Sequence, residues 1–253
     1  MTVPAVTAVI PVYNHELAVP AVAAALRAQG LPVVLVDDGS TESCRLALER
    51  LSAETGDPLV RLAVNGGKGA AVIAGLREAL SQGYTHALQV DADGQHDLSD
   101  VPKFLAAARA EPDAVICGRP LFDESIPKVR FVSRYITHVL VWLQTLSVSR
   151  VRDSMCGFRL YPLKTVLQVV DHDGVGRRMD FDVELLVKLV WRGRTLRWID
   201  TRVSYPTDGI SHFRMLYDNL RLAGMHVRLV LGMLWRAPLL VWRRMRRTEP
   251  PPP

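Results

Sequence analysis

The chain is poor in cysteine: Cys44, Cys117 and Cys156 lie far apart in 253 residues. No C-x-x-C pair and no His/Cys cluster at zinc spacing occurs, which excludes a disulfide framework and a structural zinc site and makes a reducing compartment the expectation. Long apolar runs are lacking too. Residues 136–143 are too few to span a bilayer, and residues 229–242 are interrupted by Arg236 and Pro238, so no transmembrane helix is expected. Residues 1–6 have neither a basic stretch nor an apolar run, and no signal peptide is expected. No internal repeat is found, and low complexity is confined to the proline tail at 250–253. With 49% hydrophobic residues the chain is neither a disordered tail nor a mini-protein, and it can build one large α/β core without covalent staples.

Charge is modest in total and uneven in placement. The net charge is +5, from 31 Lys+Arg against 26 Asp+Glu. From His212 onward the arginines 214, 221, 228, 236, 243, 244, 246 and 247 face only Asp218 and Glu249, so this end carries +6 and residues 1–211 carry −1. A near-neutral body with a basic, apolar end reads as a domain with a surface-binding appendage and speaks against nucleic acid as a partner.

The first hundred residues alternate β-branched runs with Ala/Leu-rich stretches. Strands are expected at 6–12, 33–36, 60–64 and 87–90, and helices at 17–29, 44–55 and 69–82. That alternation implies a mostly parallel, doubly wound sheet flanked by helices. Further on come an extended segment at 115–118, a helix at 129–146, a loop at 153–159, a helix at 181–191, a strand at 196–205 and a basic helix. Ligands of such sheets bind beyond the carboxyl ends of the strands. There the sequence places Pro11-Val12-Tyr13-Asn14-His15-Glu16, Asp37-Asp38-Gly39-Ser40, Asn65-Gly66-Gly67-Lys68-Gly69 and Asp91-Ala92-Asp93-Gly94-Gln95-His96. Four polar or glycine-rich strand ends on one sheet edge suggest a nucleotide-sized cleft.

Asp91-Ala92-Asp93 is the strongest local feature. Two carboxylates at i and i+2 after a strand can bind a hard divalent cation that keeps positions open for diphosphate oxygens; the plain alternative is a solvated turn whose Asp caps the next helix. At Asp37-Asp38-Gly39-Ser40, one Asp is expected to meet a ribose or base and the other to cap a helix. The loop 65–69 opens a helix, so its backbone N–H groups and Lys68 are expected to face phosphate. The spacing is not that of a Walker loop.

Together these residues resemble the family 2 glycosyltransferases of the GT-A fold, most closely the branch that contains dolichyl-phosphate mannose synthase. The resemblance covers residues 7–211, with the motifs in the family's order. It implies that Pro11, Tyr13, Val36 and Asp38 contact the nucleoside of a UDP- or GDP-sugar, and that Asp91, Asp93 and Gln95 bind Mg²⁺ or Mn²⁺ with the donor diphosphate. Arg119 matches a family arginine near the phosphates, and Arg130, Ser133 and Arg134 resemble the group that engages a lipid phosphate. Residues 153–159 resemble the acceptor-side loop, and Asp182 matches the catalytic base of hydroxyl-accepting relatives. A phosphate acceptor needs little base assistance, and Asp182 would then orient groups. His15 stands where that branch usually has Glu, with Glu16 one position later, and His212 stands where Lys is common, so that His212 or Arg214 would take the phosphate contact.

Arg214, Arg221 and Arg228 recur every seven residues and share one stripe of a helix with Asp218 and Arg236, while Leu and Val fill a wide remaining arc and His226 is out of place. A helix lying in the interface of an anionic membrane, anchored by Trp235 and Trp242, fits this pattern. The competing occupant of that face is the domain itself or a partner subunit in a homo-oligomer. The sequence thus divides into a GT-A domain at 1–211 and a basic amphipathic helix with a proline tail at 212–253. It reads as a metal-dependent inverting transferase acting on a lipid-linked acceptor at the cytoplasmic membrane face. A non-catalytic nucleotide-binding membrane adaptor and a nucleotidyltransferase are the competing readings.

Overall fold

The computed structural model describes residues 3–122, 128–147, 151–203 and 215–246. Seven strands form one sheet in the order β3-β2-β1-β4-β6-β5-β7. The strands are β1 Val6–Val12, β2 Val33–Asp37, β3 Leu59–Arg61, β4 His86–Gln89, β5 Val115–Phe122, β6 Arg159–Pro162 and β7 Leu196–Val203. Strand β6 runs antiparallel to β4 and β5, and the other pairings are parallel. The helices are α1 Val19–Ala28, α2 Glu42–Thr55, α3 Lys68–Ser81, α4 Val101–Ala110, α5 Lys128–Thr145, α6 Leu163–Asp173, α7 Phe181–Trp191 and α8 Met215–Arg246. The mostly parallel sheet agrees with the sequence reading. Strand β6 and helices α4 and α6 were not anticipated; β6 is only four residues long, whereas the buried Leu163, Val166, Leu167 and Val170 of α6 recur at helical spacing and were legible.

Strand alternation builds a core on each face of the sheet. Ala8, Ile10, Val33 and Leu35 point to the face covered by α1, α2 and α4, where Val22, Leu26, Leu48 and Phe104 are buried. Val9, Val34 and Val36 point to the other face, under α3, α6 and α7. All five residues of β2 are buried, the signature of a parallel strand covered on both sides.

Helix α8 is not a loose appendage. Met225, Leu229, Met233 and Leu240 join the same core cluster as α7. His226 is explained by this packing: the Gln144 Nε2 group on α5 lies 2.9 Å from its Nδ1 and donates to its carbonyl at 3.2 Å, while the Trp191 indole donates to the Gln144 carbonyl at 2.8 Å. The helix runs unbroken through Pro238, and Leu216–Arg243 is long and apolar enough to cross a membrane by length and composition. The average over the helix and the count of uninterrupted runs therefore differ, while one side of the helix packs into the core. Spaced arginines confined to one stripe break a run of letters but leave the average of a long helix apolar. The expected domain boundary at 211 lies outside the described residues.

Gly75 is where α3 meets the sheet. A Cβ there would sit 2.3 Å from Val9 Cγ1 and 2.9 Å from Val36 Cγ2. Both valines are fully buried and stiff at χ1, so neither can yield. Gly75→Ala is therefore expected to destabilise the protein by about 1–3 kcal/mol through overpacking, read as a lower urea midpoint with unchanged slope.

Candidate active site

The strand order reverses between β1 and β4, so the crevice at their carboxyl ends is the position the fold offers a ligand. The loops there are tied to one another. Asn14, after β1, adopts φ +55°, which Asn tolerates better than most residues. Its N–H donates to Ser40 Oγ at 3.2 Å, and its side-chain oxygen accepts from the Thr41 N–H at 2.8 Å. Pro11, Tyr13 and His15 are half-buried along this rim.

The Asp pair after β2 divides its work. Asp37 accepts from the Ser40 N–H at 2.9 Å and pairs with Arg61 at 3.1 Å. Asp38, expected at the nucleoside, accepts from the Gly66 N–H at 2.7 Å, the Gly67 N–H at 2.9 Å and Asn65 Nδ2 at 3.1 Å. Burial pushes the Asp38 carboxyl above its ordinary range despite these bonds. The glycine loop thus spends these two amides on Asp38, not on an open phosphate cradle. Val36 departs from the sequence reading as well: its side chain is fully buried in the core and stays out of the cleft, because its position in β2 points it under α3.

Lys68 was expected to face phosphate and turns inward instead. Its Nζ lies 2.8 and 2.9 Å from the two Asp91 oxygens and 3.0 Å from Asp182 Oδ2. Burial opposes the ammonium charge, but Asp182 and Asp91 outweigh it and raise the Lys68 pKa. Asp91 is held well below the usual carboxylate range: burial works against this, and Lys68 followed by His96 overcomes it. Gln89 Nε2, at the end of β4, donates to Asp182 Oδ1 at 3.1 Å, and Tyr161 donates to Gln89 Oε1 at 3.3 Å. Beneath them the fully buried Arg159 donates to the Asp182 carbonyl at 2.6 Å and the Ser154 carbonyl at 2.8 Å. Asp182 is thereby fixed in the first turn of α7, facing the Asp91 carboxylate across one ammonium.

Asp93 sits beside this group and accepts from the Gln95 N–H at 3.1 Å. Burial, followed by the neighbouring Asp91 charge, raises its pKa. Asp91 Oδ1 is buried and has no hydrogen bond of good direction, even though Lys68 is near. The Asp91 and Asp93 carboxylates, with Gln95 next along the same turn, offer oxygen donors of the kind that Mg²⁺ or Mn²⁺ prefers. Among the described residues no group of three or more His, Cys, Asp and Glu forms a ready-made cage, so a metal here would need further ligands from water or substrate. His96, stacked on Phe158 at 5.0 Å, brings Nε2 to 3.6 Å from Asp91.

A second cavity, of about 400 Å³, is lined by Arg119, Arg134, Tyr135, His138, Arg152 and Asp153. Arg119 on β5 forms a two-pronged pair with Asp200 on β7, and Arg134 on α5 forms one with Asp153 at 2.7 and 2.8 Å. Ser133 is exposed on the same helix. Arg130 falls in the first turn of α5, but its side chain lies outside the described residues, as do His212 and Arg214. The 153–159 loop connects the two places. Asp153 accepts from the Met155 and Cys156 N–H groups at 2.9 and 2.7 Å at the basic end, and Gly157 lies against Lys68 and Asp91 at the other. Sequence reasoning gave no role to Gln89 and Tyr161 and named Gly157 only within the acceptor-side loop; their position beside the D-x-D motif becomes apparent only once β6 is paired with β4.

A crevice of this kind on a mixed seven-stranded sheet defines a GT-A glycosyltransferase. The family model for glycosyl transferase family 2 matches residues 7–174; the chain belongs to that family. It is 28% identical over 204 residues to the undecaprenyl-phosphate mannosyltransferase of Micrococcus luteus, covering 76% of this chain and 80% of that one. It is 33% identical over 167 residues to the dolichyl-phosphate beta-glucosyltransferase of Homo sapiens, covering 61% of this chain and 50% of that one. The chain spans about half the length of this human relative. Among solved structures it is similar to glucosyl-3-phosphoglycerate synthase from Mycobacterium tuberculosis in complex with Mn²⁺, uridine diphosphate and phosphoglyceric acid, with TM-score 0.63, 16% identity, and 91% and 77% of the two chains covered. The protein is thus a family 2 glycosyltransferase related to polyprenyl-phosphate sugar transferases.

Gly157 offers a direct check on the site. A Cβ there would lie 2.7 Å from Lys68 Nζ, 2.9 Å from Asp91 Oδ2 and 2.9 Å from Gln89 Nε2. All three are side-chain ends that can swing away. Gly157→Ala should therefore shift the melting temperature little while lowering sugar transfer about 100-fold, as displaced site groups do.

Proposed function

We propose that the protein moves a sugar from a UDP- or GDP-sugar to a polyprenyl phosphate, with Mg²⁺ or Mn²⁺, at the cytoplasmic face of a membrane. The observation that carries this reading is the 153–159 loop, which joins the carboxylate crevice to the cavity lined by Arg119, Arg134 and Arg152. Donor and acceptor phosphates would then sit at the two ends of one short segment. Pro11, Tyr13, His15 and Asp38 border the nucleoside, and Asp91, Asp93 and Gln95 would hold the metal. When bound, the metal supplies positive charge to the departing diphosphate. An acceptor phosphate oxygen attacks the anomeric carbon as the bond from that carbon to the diphosphate oxygen breaks, inverting the centre and releasing the nucleoside diphosphate. The acceptor is already anionic and needs no base, so Asp182, held by Lys68 and Gln89, orients the crevice. Arg119, Arg130, Ser133, Arg134 and His212 serve the acceptor phosphate.

The membrane reading rests on the outer flank of α8. Leu220, Leu231, Leu234 and Trp235 are 65%, 62%, 60% and 87% exposed. The arginines of the stripe have partners in the protein: Arg221 lies 3.5 Å from Asp180, Arg228 lies 3.4 Å from Glu184, and Arg236 stacks over Trp191 at 4.7 Å. Attachment therefore comes from the apolar flank more than from the stripe, with Trp242 and Arg243 near its end. Three free, buried thiols suit a reducing compartment.

In a donor screen with Mn²⁺, one nucleotide of the UDP and GDP series should raise the melting temperature by mass action. Asp91→Ala and Asp93→Ala should each cut transfer at least about 100-fold; undiminished transfer by both would overturn the reading. Leu234→Glu with Trp235→Glu, both solvent-facing, should release the folded protein from anionic liposomes, and unchanged co-sedimentation would sink the membrane assignment.

A further inference from the structure

The ammonium of Lys68 stands between Asp91 and Asp182, within 3.0 Å of each carboxylate. Three features hold it there. Lys68 is the first residue of α3, aimed by Gly67 at φ +93°. That glycine backs onto Arg178, whose guanidinium bonds Asn65 Oδ1 at 3.0 Å. Gly157 closes over Nζ without a side chain. The carboxylates of Asp91, Asp93 and Asp182 converge on this place, and Lys68 brings the cation that two of them share.

We propose that Lys68 is a resident counter-cation that holds Asp91 and keeps a divalent metal from binding this crevice until a nucleoside diphosphate arrives with it. The proposal rests on the donor-site reading above and adds to it an order of binding and a positioning residue. A metal alone must compete with the ammonium for Asp91 and gains in full only Asp93, while the positive charge of Lys68 repels it at close range. A diphosphate brings anionic oxygens that both ligate the metal and offset that repulsion. Metal and nucleotide therefore strengthen each other's binding, and the coupling is reciprocal. The same ammonium ties Asp91, after β4, to Asp182, on α7, whose carbonyl accepts from Arg159 at the end of the 153–159 loop, so metal arrival is transmitted to that loop.

The test is Mn²⁺ binding followed by electron paramagnetic resonance, without nucleotide and with saturating UDP or GDP, for the native protein, Lys68→Met, Lys68→Arg and Asp182→Asn. The native protein should bind Mn²⁺ alone at least about tenfold more weakly than with the matching nucleotide, a coupling within the usual range. Lys68→Met should bind Mn²⁺ alone about tenfold more tightly and lose most of the nucleotide dependence, while Lys68→Arg should stay close to native. Asp182→Asn leaves the ammonium on Asp91 and should keep Mn²⁺ binding weak without nucleotide, which provides a second readout if Lys68→Met does not fold. Unchanged or weaker metal-alone binding by folded Lys68→Met, or tight metal-alone binding by Asp182→Asn, overturns the role of Lys68 alone. Failure of the native protein to bind Mn²⁺ with either nucleotide overturns the donor-site reading and this inference with it.

Discussion

Negative charge concentrated at one edge of the sheet is the constraint that organises this molecule. Asp38 and Asp182 are buried there and Asp91 is half-buried between them, and a carboxylate withdrawn from water must be paired or bonded to remain charged. Each solution is structural. Asp38 takes the amides of the glycine loop, which fixes where α3 begins. The start of α3 then places Lys68 between Asp91 and Asp182. That pairing anchors the first turn of α7, and the undisturbed positions of Lys68, Asp91 and Gln89 leave no room for a Cβ at Gly157. Charge neutralisation thus fixes the end of the 153–159 loop that lies against Lys68 and Asp91.

The basic end obeys the same rule. Its +6 charge suggested a surface that seeks anions, but the described arginines of the seven-residue stripe meet Asp180, Glu184 and the Trp191 ring on the neighbouring helix. A cleft of about 640 Å³ remains between α7 and α8, with Arg221, Arg228 and Arg236 along one wall. Because α8 also contributes Met225 and Leu229 to the core, it is part of the domain on one side and apolar surface on the other.

Strand ends and their chemistry were readable because β-branched runs followed by Gly, Asp and Asn carry a local signal. Asp91, Asp93 and Asp182 were all chosen as site residues, and they do lie together. Other assignments moved. Lys68 was read as facing phosphate and pairs with Asp91 and Asp182, while Asp38, read at the nucleoside, also anchors the glycine loop. Val36 was read as lining the cleft and is core. Arg119 belongs with Arg134 in the second cavity, across the 153–159 loop from Asp91. These differences share a cause: a motif gives a residue's place on the chain, but a strand or helix start can aim a side chain to either side.

By itself the sequence determined the class of fold, the edge of the sheet that carries the chemistry, and the uneven placement of charge. Those are properties of period and composition, set within a dozen residues at a time. Only the tertiary structure decided which carboxylate each cation neutralises, that Pro238 lies inside one continuous helix, and that His226 is a partner for Gln144. Those are settled by contacts between residues tens of positions apart, where burial makes an unpaired charge or polar group too costly to leave alone.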